Sequence, residues 1–431
     1  MHRKVYLLLL CGLMIASSAS SGFAATGTYS STTAGTNAIS LSTGSETYEN
    51  ITVTKTGDAT GQSDGTSGYD WTGSNAAVRA SGGAKMTISG SGTTITSDAK
   101  GGNAVFAYGG SLNGSGTGDG TKITISDAKI TTSKSNSGGI MVTGGGVIEA
   151  SSLTITTQGG SSAAIRSDRG GGTITVTGGT YTTSGTGSPA IYSTAAITGN
   201  DVTLTSNTAQ VVVIEGGNSV TLTDSILTAN HTTLNGQDTT HQAVLIYQSM
   251  SGDASNGSSK FIMSGGTLTN SQGDIFHVTN TTTAVTLSGV TITNNDSSGY
   301  FLRAAADSWG SSGSNGGNVT LNASAQTIDG DMLVDEISTL NLYLAEGSMF
   351  TGSINPDGQE GEVYVELTDG STWTLTGDSY ITSLTCDADS IDLNGYTLYV
   401  NGEAYSDGTA STGEAVEVTI TSSGNKPDGM P

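Results

Sequence analysis

Cysteine is almost missing from this chain: 431 residues contain two, Cys11 and Cys386. Cys11 falls in an apolar leader, which leaves one thiol for the folded protein. No intrachain disulfide can therefore staple the fold, and neither a thiolate zinc site nor a cysteine–histidine catalyst has the ligands it requires. Basic residues are scarce as well, with 14 Lys and Arg against 37 Asp and Glu and a formal net charge of −23. Such a surface repels phosphate backbones, which argues against a nucleic-acid partner. It favours solubility, calcium or cationic partners. Proline occurs four times, no stretch keeps helical periodicity, and no run beyond the leader is long and apolar enough to cross a bilayer as a helix.

Glycine (64 residues) is plentiful, and the 34% of hydrophobic residues are patterned. A disordered linker has no reason to hold apolar residues in register, whereas a repeat fold does. The chain opens with His2, Arg3 and Lys4, an apolar run over residues 5–15, and "ASSASSGFAA". That order of charged, apolar and small residues predicts a secretory signal over residues 1–24, hence a secreted, extracellular or cell-surface protein.

A short apolar cluster ahead of a small-residue turn recurs along the chain: "NAAVRASGG", "NAVFAYGG", "SGGIMVTGGG", "SAAIRSDRGGG", "SPAIYSTA", "QVVVIEGG", "QAVLIYQS", "DIFHVTN" and "YFLRAAAD". Its anchors are Val78, Val105, Ile140, Ile165, Ile191, Val212, Val244, Ile275 and Leu302. They return about every 22–35 residues, the period of a solenoid turn. Between anchors lie alternating runs such as "KMTIS", "TKITIS", "GTITVT" and "TAVTLS". Period-2 alternation of β-branched residues broken by Gly, Ser, Asn and Asp predicts half-buried strands. Three strands per turn predict an all-β, right-handed parallel β-helix of about a dozen coils. The boundaries that follow are an N-terminal cap segment at 25–73, coils at 74–345, C-terminal coils and cap at 346–420, and a polar tail at 421–431.

The blocks "SGGIMVTGGG", "AAIRSDRGGGT", "GSPAIYSTA", "IYQSMSGDA", "DSWGSSGSNGG" and "LNGYTLYVNG" resemble secreted adhesin-like bacterial proteins with the pectin-lyase-like β-helix fold. The resemblance implies a fold and an extracellular location, with a glycan or a surface protein as partner. Polysaccharide lyases and hydrolases share that fold and are the alternative. The polygalacturonase pattern of Asn-Thr-Asp, Asp-Asp, Gly-His-Gly and Arg-x-Lys is absent from the sequence.

Arg166, Asp168 and Arg169 stand out in so acidic a chain and resemble the makings of a catalytic group. If Ile165 faces inward, however, strand alternation turns Arg166 outward. Arg79 follows Val78 and Arg303 follows Leu302 in the same way, so arginine recurs at one repeat position, as a face would and a catalyst would not. Phe106, Met141, Tyr192, Val213 and Leu245 share that position, with Tyr108 and Tyr247 two residues further on. The expected site is therefore an exposed ligand-binding stripe of Arg79, Phe106, Met141, Arg166, Tyr192, Tyr247 and Arg303, suited to stacking on carbohydrate or docking a protein. A crossing loop or the N-terminal segment covering it is the bland alternative. Asp168 and Arg169 are expected to neutralise each other as an exposed pair. No catalytic or metal-ligating residue is assigned. His231, His241 and His277 read as polar loop surface. Calcium remains open for the acidic turns "GTGDGTK", "TIDGDMLVDE" and "NPDGQEGE", although none has EF-hand spacing. Thr-x-Thr pairs suggest a flat ice-binding face, against which the Ser, Lys and Asp at other outward positions weigh.

Overall fold

The structure, a computed structural model, describes residues 24–59, 68–112, 117–236, 238–358 and 361–418. The leader at 1–24, apart from its last residue, and the tail at 421–431 lie outside the described residues. The described chain is all-β, its one helix being the short Tyr69–Thr72. Strands pair in parallel throughout, except for the hairpin Leu398–Val400 with Glu403–Ala404 and an antiparallel bridge from Cys386 to Ser411. This arrangement is consistent with a β-helix class.

Two sheets carry most of the architecture. An 11-stranded sheet collects the anchor strands in chain order, from Ile39–Leu41 to Met332–Val334. A 20-stranded sheet collects the alternating strands, which come as consecutive pairs separated by a bend. Along that bend a left-handed residue recurs in register: Asp127, Ser152, Asp201, Asp224, Ala325 and Glu346 have φ between 48° and 55°. Asn, Asp and Gly tolerate this conformation best, which explains why such residues punctuate the Thr-rich runs. The opposite turns are held by a serine ladder. The amide of Ser137 donates to Ser162 Oγ at 2.9 Å, and the amide of Ser162 to Ser188 Oγ at 2.9 Å.

The core lies between the sheets. Met86, Ile88, Ile123, Ile125, Ile174, Val176, Val285 and Leu287 are buried, as the alternation requires. Seven of the nine anchors align as direct ladder partners, Val78 with Val105, Val105 with Ile140, Ile140 with Ile165, and so on to Val244, and Leu302 joins their column through Phe276. The exception is Ile275. Phe276, not Ile275, pairs with Val244 and with Leu302. The strand Asp274–Thr279 is buried on both faces, so it shows no alternation from which its phase could be read. Phe276 continues a ring column, its centroid 5.5 Å from Phe261 and 5.7 Å from Phe301. The segment 25–73 contributes strands of its own. Ala25–Ser31 lies parallel on Ser45–Lys55, and Ile39–Leu41 on Val78–Ala80, so the stack begins here.

Candidate functional site

Residues following the anchors form one column on the outer face of the anchor sheet. Arg79, Phe106, Met141, Arg166, Tyr192, Val213 and Leu245 pair in succession, and the one-residue phase shift adds His277 before Arg303. The column exists, but the exposed stripe does not. Phe106 and Met141 are fully buried, and Tyr247 is 6% exposed. The helix Tyr69–Thr72 and the residues after it cover the first two. A Cβ on Gly73 would fall 2.5 Å from the Phe106 ring, and Thr143 Oγ1 donates to the Trp71 carbonyl at 2.6 Å. Trp309 covers Tyr247, with ring centroids 4.7 Å apart. The arginines at the two ends are occupied too. Arg79 Nε donates to the Thr72 carbonyl at 2.6 Å, and Arg303 Nε to Asp274 at 2.6 Å. Local alternation reveals which way a side chain points, not what a distant loop later lays over it.

An opening remains between these covers. Arg166, Asp168, Tyr192, Asn235, Tyr247 and Asp253 surround a cleft of 210 Å³. Gly187, Pro189, Tyr192, Asn235 and Tyr247 also wall a second cleft of 160 Å³, which reaches Val213, Leu245 and Trp309. The shared walls make one elongated site, polar at the Arg166 end and apolar at the Trp309 end. Of the seven stripe residues, it brings together Arg166, Tyr192 and Tyr247 and leaves out Arg79, Phe106, Met141 and Arg303.

The charges here are wired differently from the sequence expectation. Asp168 does not neutralise Arg169 as an exposed pair. It accepts from Arg166 Nη2 at 3.0 Å and is itself 4% exposed. Arg169 turns away, donating from Nε to Asp253 at 2.8 Å while its guanidinium lies 3.8 Å above the Trp71 ring. Two crossing segments, one near Trp71 and one near Asp253, thus clasp a single arginine. Burial pushes the Asp168 carboxyl up to about 6 in spite of the facing guanidinium. Behind the cleft lies Glu215, fully buried and unremarked in the sequence. It accepts from the Tyr192, Tyr247 and Ser249 hydroxyls, the Tyr247 contact being 3.1 Å. Burial, helped by the Asp253 charge, raises it to about 7. The signal that could have found it was an acid closing the apolar run "QVVVIE", one register step from Tyr247.

Two of the three histidines are buried rather than at the surface, while His241 is half-buried on its loop. His231 is fully buried, and its ring centroid lies 5.0 Å from that of His241; His277 is 1% exposed. The Gln242 amide donates to His231 Nδ1 at 3.1 Å, and burial lowers His231 to about 4, so it is neutral at ordinary pH. The acids of the Gly-rich turns serve the backbone: Asp119 accepts from the Thr121 amide and hydroxyl, and Asp331 from the Ser353 amide. Among the described residues, no three His, Cys, Asp or Glu side chains converge as a metal site, and no helix is long and apolar enough to cross a membrane. No family model, no curated protein and no solved structure matches the chain.

Proposed function

We propose that this protein is a secreted, non-enzymatic, adhesin-like right-handed parallel β-helix of about a dozen coils. It binds a glycan, at the cell surface or in the extracellular matrix, through the cleft between Arg166 and Trp309. One observation carries the reading: two tyrosines and a tryptophan line a narrow trough whose polar end holds a guanidinium, two carboxylates and an amide. Sugar rings offer apolar faces and hydroxyl edges, and such a mixed wall complements both. The resemblance to adhesin-like β-helix proteins points the same way.

A polysaccharide lyase or hydrolase is the second reading, and the raised carboxyls of Asp168 and Glu215 favour it, because a general acid must hold its proton near neutral pH. Against it, Glu215 is engaged by three hydroxyls behind the cleft wall, and Asp168 is held by Arg166 and by the Arg169 amide. Neither is free to approach a glycosidic oxygen. Applying the protein to a glycan array while assaying for released reducing or unsaturated sugar separates the readings. Binding without release is expected; release would move the assignment to an enzyme, and neither binding nor release would overturn both.

A further inference from the structure

The second strands of the 20-stranded sheet stack into a face whose two outward ranks are almost entirely threonine. One rank of ladder partners runs Thr54, Thr96, Thr131, Thr156, Thr182, Thr205 and on to Thr293, with threonine at every step. The rank two residues earlier runs from Thr52 to Thr291 and is interrupted only by Lys129 and Ile226. The charged and mixed positions lie on the neighbouring strands, in the rank of Lys85, Lys122, Val147, Thr173, Ala196, Ser219 and Lys260; the other rank there runs from Thr87 to Thr286 and is interrupted by Glu149 and Ile262.

We infer that this threonine face binds ice. Adjacent strands place equivalent hydroxyls ~4.8 Å apart, and residues two apart on one strand lie ~6.6 Å apart. Across the strands the grid is close to the repeat of water oxygens on a prism face of hexagonal ice, and along them it is somewhat shorter. Among the described residues the hydroxyls of both ranks find no protein partner, whereas the inward Thr132 and Thr157 do, Thr157 Oγ1 donating to the Ser162 carbonyl at 2.5 Å. β-Branching limits χ1, so the grid of methyls and hydroxyls is ordered before any contact. Charge fits as well. In a chain with 37 acidic residues, neither rank contains an acid and Lys129 is the single ion, which suits a neutral, strongly hydrogen-bonded surface. Ile226, 49% exposed in the outer rank, keeps the β-branched methyl and loses only the hydroxyl.

The test is partition of the full chain into a slowly growing ice front, beside a soluble control protein. Enrichment in the ice is expected. Thr156→Tyr or Thr182→Lys, each breaking the middle of the grid, should abolish it, while Thr173→Lys, in the neighbouring rank that already holds Lys85, Lys122 and Lys260, should not. Circular dichroism confirms that each variant is folded. A parent protein left in the liquid like the control would overturn the inference, as would folded Thr156→Tyr and Thr182→Lys variants that partition like the parent. Glycan binding uses the other side of the molecule, so it stands or falls separately.

Discussion

Arg166 and Asp168 face each other across one residue, Nη2 to Oδ2 at 3.0 Å, on the outer surface of the anchor sheet. Their side chains are 13% and 6% exposed, so the pair is largely withdrawn from solvent although both groups line the cleft. Removing one partner strands the other. Arg166→Ala should therefore destabilise the protein by about 3 kcal/mol or more, well beyond what an exposed pair contributes. Chemical denaturation of the parent and the variant measures this directly. Asp168→Asn, which keeps the shape and an acceptor, should lose clearly less.

Glu215 makes stability depend on pH. In the unfolded chain its carboxyl ionises near 4.5, and in the folded chain near 7. Between these values the folded state holds more protons than the unfolded one, so stability falls as pH rises to about 7 and levels off above it. Asp168, raised to about 6, acts in the same direction over a lower and narrower range. Glu215→Gln removes the first contribution. It should melt near the parent at pH 4 and be more stable above pH 7 by up to about 3 kcal/mol. A parent whose stability rises from pH 5 to pH 8 in step with the variant would contradict this account of Glu215.

Arg169 links the Trp71 segment to the Asp253 segment by a stacked and a hydrogen-bonded contact. Arg169→Ala should cost about 1–2 kcal/mol and change the tryptophan emission. It should also make the chain around Asp253 more sensitive to limited proteolysis while the core sheets stay protected. Equal cleavage of parent and variant would mean that the arginine does not hold the two segments together.

The anchors and the alternating strands were legible because a stack of parallel strands repeats its inward column, and repetition exposes phase. Ile174, expected inward, is fully buried between its ladder partners Ile148 and Ile197. Ile174→Asp should therefore lose about 3 kcal/mol or more. Phase was lost at Ile275 and Phe276, where both faces of the strand are covered. The outer column was legible as a column but not as a covered one: the helix at Tyr69 is 37 residues ahead of Phe106 in sequence, and nothing local announces that contact. Phe106 thus belongs to a small buried cluster with Ala76 and Met141 outside the main core, and Phe106→Ala should lower stability by about 3–5 kcal/mol without a specific effect on ligand. Glu215 was hidden for a similar reason, since its partners Tyr192 and Ser249 come from other turns.

Isothermal titration of a glycan identified on the array, with Tyr192→Ala and Asn235→Ala measured beside the parent, tests the central claim most directly. Tyr192 walls both halves of the cleft, and Asn235 reaches it from an exposed loop, so the second variant should leave the melting temperature unchanged. Each should weaken binding by about tenfold or more, the effect of losing ~1.4 kcal/mol or more at a buried contact. Folded variants that bind as tightly as the parent would place the glycan elsewhere and contradict the assignment of this cleft.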